Sequence, residues 1–258
     1  MCHGRRALQR AELHFHLLPD VDDGPLDIDE AIALARLAVA DGTSLVTVTP
    51  HVHNLRERGL VHELPGRVRE VAAALRGAGV PLELRSGAEL AQDDVALLDD
   101  AGLEAIAQGP PGARWVLLEA PLFGDDLDGF LAATAEVRAR GFGTLIGHPE
   151  RCAVLIEQEG AIAAERRAGA RLQVNGSSLT GFHGAAAQAR GLELVRSGAA
   201  DLIASDAHGT SRPPVLSVAV DLVVAAGMPR AAAESLVSAV PRALLRHGLA
   251  PVRAARAA

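Results

Sequence analysis

Seven short runs rich in apolar and β-branched residues, 11–16, 44–51, 81–89, 115–121, 144–150, 171–178 and 201–208, alternate with stretches whose apolar positions recur at helical spacing. Such alternation is the mark of βαβ units and a parallel sheet. Asp29 to Ala38 sets its apolar residues on one helical face, with Asp27 or Asp29 placed to cap it. Segments 63–78, 127–140, 157–168, 185–197 and 229–247 follow the same period, several stopping at Gly. No Pro/Ser-rich linker or block of charge divides the chain. One domain over 1–258 is therefore expected, with an N-terminal extension over 1–10 and a C-terminal tail over 250–258. Seven strand–helix units predict an α/β barrel, a class whose chemistry sits at the C-terminal ends of the strands.

The runs end on charged or imidazole side chains. The first closes on His14 and His16, followed by Asp22-Asp23-Gly24; the second closes on His51, the third on Glu89 and the fourth on Glu119. The fifth gives His148-Pro149-Glu150-Arg151 and the seventh Asp206-Ala207-His208. Residues two apart on a strand project from one face, so His14 with His16 can grip one ion. A His-x-His pair alone is a frequent accident, and Asp22-Asp23-Gly24 alone reads as a turn. A glutamate at the end of an apolar strand needs a cationic partner, which a metal or an arginine supplies. Imidazoles mixed with carboxylates, without thiolates, suit divalent ions held for hydrolysis. Arg151 and Arg212 stand close in sequence to His148 and His208 and have the fork geometry for a tetrahedral oxyanion, although solvated surface arginines are common. His53 is as readily a surface residue as a lining one, and Asn175-Gly176-Ser177-Ser178 as readily a simple turn as a substrate contact.

Composition narrows the field. A net charge of −7 argues against a general nucleic-acid binder. No apolar run is long enough to span a bilayer and the first residues lack a signal-peptide core, which predicts a cytoplasmic protein. Cys2 and Cys152 have neither zinc-ligand nor redox spacing. All 25 basic residues are Arg, and Lys and Tyr are absent, which excludes any mechanism that needs a lysine.

Taken together, His14-Phe15-His16, Val21-Asp22-Asp23-Gly24-Pro25, Gly87-Ala88-Glu89, His148-Pro149-Glu150-Arg151 and Ala204-Ser205-Asp206-Ala207-His208 with Arg212-Pro213-Pro214 resemble the polymerase and histidinol phosphatase superfamily. Within it, they resemble the CpsB/CapC-like tyrosine-protein phosphatases of bacterial capsule and exopolysaccharide synthesis. The resemblance implies a distorted seven-stranded barrel and three divalent ions, manganese first, with iron or zinc as alternatives. It puts His14, His16, Glu89 and Asp206 on one ion, His51, Glu89 and His148 on the second, and Asp23, Glu119 and His208 on the third. Arg151 and Arg212 would hold the substrate phosphate; apart from the resemblance, His208 and His53 are candidate proton sources. The implied partner is the phosphotyrosine tail of a bacterial tyrosine kinase; self-association is left open. Cys152 departs from the pattern, standing where that family usually has an aromatic.

Such a site hydrolyses a phosphomonoester with water activated on the metals and no covalent enzyme intermediate. The alternatives are a small-molecule phosphatase of histidinol-phosphate type, an amidohydrolase-like enzyme, a cysteine-dependent phosphatase and a metal-binding regulator without activity. The cysteine reading is weakened because no glycine-rich loop surrounds Cys152. The amidohydrolase reading is weakened because a carbamylated lysine bridge cannot form here.

Overall fold

The structure, a computed structural model, describes residues 9–122, 126–158 and 160–249. Residues 1–8 of the expected extension and the whole expected tail lie outside the described residues. Arg10 already belongs to the first strand.

Among the described residues, eight parallel strands form two sheets. β1 (Arg10–Glu12), β2 (Thr43–Val48) and β3 (Glu83–Ser86) make one; β4 (Glu89–Leu90), β5 (Trp115–Glu119), β6 (Gly143–Gly147), β7 (Arg171–Asn175) and β8 (Leu202–Ala204) make the other, in that order. Seven apolar runs thus give eight strands among the described residues. The run 81–89 breaks at Gly87-Ala88, where the chain leaves β2 and pairs with β5. A Cβ at Gly87 would lie 2.7 Å from Gln108 Nε2 and 2.8 Å from Thr47 Cγ2, so the crossing point has room only for glycine. The first run is also shorter than expected, since the backbone bends at Leu13 and His14. Two isolated parallel bridges, Phe15 with Ala207 and His51 with Glu89, link segments of the two sheets.

Alternation along the strands sorts side chains to two faces. On β5, Val116 and Leu118 pack into the large cluster beneath the helices, while Trp115 and Leu117 join Leu13, Leu145, Leu202 and Ala204 in a separate interior cluster. Glu119 shares the parity of Trp115 and Leu117. On β7, Leu172 and Val174 face the helices, which leaves Gln173 and Asn175, both fully buried, on the inner face. The inner faces are thus apolar at one end and turn polar at the strand C-termini.

Helices form over Ile28–Ala40, Leu64–Gly77, Leu127–Ala139, Ala161–Arg167 and Ala185–Arg196, close to the expected spans. Asp27 is the cap of the first, its Oδ1 accepting from Glu30 N at 2.9 Å. The expected helix over 229–247 is two, Arg230–Leu236 and Ala239–His247. Pro241 causes the break, because it cannot donate to Val237 O and its ring crowds that carbonyl. The freed Val237 O accepts from Ala11 N at 2.9 Å and so ties the break to β1. The second of these helices closes the apolar end of the interior with Leu244. Among the described residues, no helix is long and apolar enough to cross a membrane.

Candidate metal centre

Eight of the nine expected ligands meet around Glu89, Asp206 and Asp23. Glu89 Oε2 lies 3.1 Å from His14 Nε2, 3.3 Å from His16 Nε2 and 3.2 Å from His51 Nδ1, while its Oε1 lies 2.9 Å from His148 Nε2. Asp206 Oδ1 is 3.3 Å from His14 Nε2 and 3.5 Å from His16 Nε2. Asp23, more than half exposed, reaches in from its loop to 3.1 Å from His208 Nε2 and 3.5 Å from His51 Nε2. Glu119, the ninth, stands 3.9 Å from His148 and groups with His51 and Glu89. Asp23 and His208 group with His16 and His51.

The backbone is bent to deliver these groups. His148 and Asp206 sit at φ 36° and 54°, a left-handed conformation that costs a side-chain-bearing residue roughly 1–3 kcal/mol. His14 and His16 lie beyond the end of β1, yet their Nε2 atoms are only 3.3 Å apart. The His208 ring stacks on His16 with centroids 3.7 Å apart.

Hydrogen bonds fix the state of three imidazoles. Asp206 Oδ2 can only accept, so Asn175 presents Nδ2 to it at 2.7 Å; Asn175 Oδ1 then accepts from Gln173 Nε2 at 2.7 Å, and Gln173 Oε1 faces His14 Nδ1 at 3.0 Å. His14 must therefore carry its proton on Nδ1. His16 Nδ1 faces Asp22 Oδ2 at 2.8 Å and His208 Nδ1 donates to Asp206 O at 2.9 Å, with the same result. With Nδ1 of each ring committed to these partners, the three Nε2 atoms face carboxylate oxygens and, for His14 and His16, each other. Such contacts in a dry interior need either a second proton on the ring or a metal ion between the groups, and Nδ1 held by a carboxylate, amide or carbonyl oxygen is the arrangement that orienting partners impose on metal-ligating histidines.

Electrostatics agree. Burial alone would lower the proton affinity of His14, His16 and His51. The charges of Glu89 and Asp206 on His14, Asp22 on His16, and Asp23 and Glu89 on His51 reverse this and raise all three. Burial opposes ionisation of Glu89 and Asp206, but the surrounding imidazoles, His14 foremost, hold both below the usual carboxylate range. Glu119 is the exception, pushed up to about 7 by burial and then by the charge of Glu89. The centre thus concentrates negative charge that wants divalent partners.

Both arginines arrive at the same carboxylate. Arg212 Nη2 lies 2.7 Å and Arg151 Nη1 3.5 Å from Asp206 Oδ2, and Arg212 also reaches Asp23 at 3.4 Å. His53 is on the surface, paired with Glu57. Cys152 is buried, its thiol pushed up by burial and its Sγ accepting from Leu155 N, so it has no thiolate character. Asn175–Ser178, open in the sequence between a turn and a substrate contact, ends β7 and enters a short helix, Gly176–Leu179. Asp22, Gln173 and Asn175 were not identifiable as orienting groups from sequence; their polar side chains on inner-face or strand-end positions were the available signal.

A family profile for capsular polysaccharide synthesis, CpsB/CapC, matches residues 10–246. CapC of Staphylococcus aureus, assigned as a tyrosine-protein phosphatase, is 28% identical over 209 residues, covering 80% of each chain. The tyrosine-protein phosphatase YwqE of Bacillus subtilis is 29% identical over 202 residues, covering 76% of each. Among solved structures, one from the work on YwqE of Bacillus subtilis and CpsB of Streptococcus pneumoniae, metal-dependent tyrosine phosphatases, superposes with a TM-score of 0.72 at 22% identity, covering 95% of this chain and 100% of the other. The phosphotriesterase homology protein of Escherichia coli superposes at 0.56 and 13% identity, covering 92% and 98%.

Proposed function

Because this chain belongs to the CpsB/CapC family of capsular polysaccharide synthesis, we propose that its histidine–carboxylate centre makes it a metal-dependent protein-tyrosine phosphatase. The observation that carries the reading is the meeting of Arg151 and Arg212 at Asp206, on the edge of a cluster of inward-facing imidazole nitrogens. A cation site beside two guanidinium forks suits a phosphomonoester. The scissile amide of an amidohydrolase substrate is neutral and calls for no pair of guanidinium forks at the reacting group, so the same observation favours the phosphoester.

Three divalent ions fit the nine donors. His14, His16, Glu89 and Asp206 would hold the first, His51, Glu89 and His148 the second, and Asp23 with His208 the third, Glu119 lying nearest the second. An all-nitrogen and oxygen donor set is compatible with manganese, iron or zinc, and manganese is the choice we make from the family resemblance. Such ions supply Lewis acidity and bring the pKa of a coordinated water toward neutrality. The chain supplies the rest. Arg151 and Arg212 exchange Asp206 for the phosphate oxygens and neutralise charge that grows in the transition state. Glu89, in reach of four imidazoles, holds the cluster together. His208, with its proton on Nδ1 toward Asp206 O, offers Nε2 as a ligand rather than as an acid. A phenolate leaving group, pKa about 10, makes little demand for one.

In keeping with this reading we take the chain as one domain and the eight strands as a distorted seven-stranded barrel, β3 and β4 being halves of one run and the two isolated bridges joining the sheets. The substrate would be the phosphotyrosine tail of a bacterial kinase of polysaccharide export, met in the cytoplasm.

The test compares a phosphotyrosine peptide, p-nitrophenyl phosphate and histidinol phosphate with manganese-loaded wild type, Arg151→Ala and Arg212→Ala. Each arginine should contribute about 2–4 kcal/mol to the transition state, roughly one to three decades in rate, with metal content unchanged in the variants. A large preference for histidinol phosphate in kcat/KM would refute the tyrosine-phosphatase reading.

A further inference from the structure

The turn after β7 carries features that the metal centre and the arginines leave unused. Asn175, at the end of that strand, bonds Asp206 Oδ2, the oxygen that Arg212 also holds. Two residues on, Ser177 Oγ is 3.1 Å from His183 Nε2, and Ser177 O accepts from Phe182 N at 3.1 Å. Residues 182 and 183 are thereby anchored to the segment that enters the site. The two rings meet edge to face, centroids 5.0 Å apart at 88°. His183 lies within the field of Arg151 and Arg212: burial first, then these charges, push it down to about 4, so it stays neutral beside the phosphate-binding forks.

Phe182 is unusual for this chain. The sequence has five Phe, one Trp and no Tyr. Among the described residues, Trp115, Phe15, Phe130 and Phe142 are buried, whereas Phe182 is 57% exposed. What sets Phe182 apart from the other exposed apolar side chains is its aromatic ring together with its tether, through Ser177, to the strand end that enters the site. Cys152, which follows the arginine of the fifth run, is sequestered beneath the surface and cannot serve as an apolar wall.

Building on the phosphatase reading, we propose that Phe182 and His183 form the aryl-recognition wall of the site, receiving the ring of an aromatic phosphomonoester while Arg151 and Arg212 hold its phosphate. The ring would contact Phe182 in the offset or edge-on geometry that aromatic pairs favour, and the uncharged imidazole would line the approach without competing for phosphate. An alkyl phosphate fits the same forks but gains nothing from the wall. Discrimination should therefore reside in these two side chains, and the reacting groups should be indifferent to them.

The experiment measures turnover of p-nitrophenyl phosphate and glycerol 2-phosphate, and calorimetric binding of phenylphosphonate and methylphosphonate, for the manganese-loaded wild type, Phe182→Ala, Phe182→Trp and His183→Ala. Phe182→Ala should raise KM for the aryl ester and weaken phenylphosphonate roughly tenfold, with kcat and both alkyl ligands unchanged. Phe182→Trp should restore aryl binding, and His183→Ala should cause a smaller loss of the same kind. Equal losses for aryl and alkyl ligands, or no loss for either, would overturn the wall while leaving the phosphatase standing. A wild type that hydrolyses neither ester and binds neither phosphonate would overturn both.

Discussion

The orientation of His14 is decided three side chains away. Asp206 dictates the amide of Asn175, which dictates that of Gln173, which leaves His14 one proton position. Gln173→Leu should free the ring and lower divalent-metal affinity about 10–100-fold, read by calorimetric titration of the apo protein. Asp22→Ala should do the same through His16. A second expectation concerns Glu12, which is buried and whose Oε2 accepts from Ser205 N at 2.8 Å. Burial pushes its carboxyl from 4.5 up to about 8. The folded state therefore binds the proton more tightly than the unfolded one. Its stabilising contribution is complete below about pH 4.5 and is lost as pH rises through 8. Glu12→Gln should overtake wild type in urea stability at pH 8.5 and show no advantage at pH 4. The clustered histidines and carboxylates themselves are legible in the chain, because charged side chains ending apolar strands demand explanation. Their orienting partners are not, since a neutral Gln or Asn at a strand end carries no mark until its neighbours across the sheet are known.

The strand–helix alternation translates almost directly into structure, with departures where one backbone position overrides a pattern. Pro241 divides an amphipathic stretch that periodicity alone joins, and the carbonyl it frees is used by β1. Gly87 divides an apolar run and hands the chain from one sheet to the other, two residues before Glu89. Hydrophobic pattern reports burial and period; it is silent on which neighbour a strand pairs with, so the eight-strand, two-sheet division was out of reach. Gly87→Ala should force its Cβ against Thr47 and Gln108, cost about 1–3 kcal/mol in thermal denaturation and reduce metal retention by displacing Glu89. Unchanged stability together with full metal content would show that the crossing point tolerates a side chain.

The candidate ligands come from segments along most of the chain, so on the proposed reading metal binding and folding would be linked. Ions that bind only the folded state stabilise it by RT ln(1 + [L]/Kd), about 2.7 kcal/mol at a hundredfold excess over Kd. Chelation should lower Tm by several degrees and manganese should restore it, whereas the Glu89→Ala protein should respond weakly to either. The centre also has a position in time. The Phe15–Ala207 bridge and the Glu12–Ser205 bond join residues as far as 193 apart in the chain, at the seam where His14 and His16 meet Asp206 and His208. Contacts of such separation form late and slowly. A ribosome extending this chain vectorially therefore carries an incomplete cluster until Asp206 and His208 have cleared the exit tunnel, and a product terminated before them holds His14 and His16 without these partners.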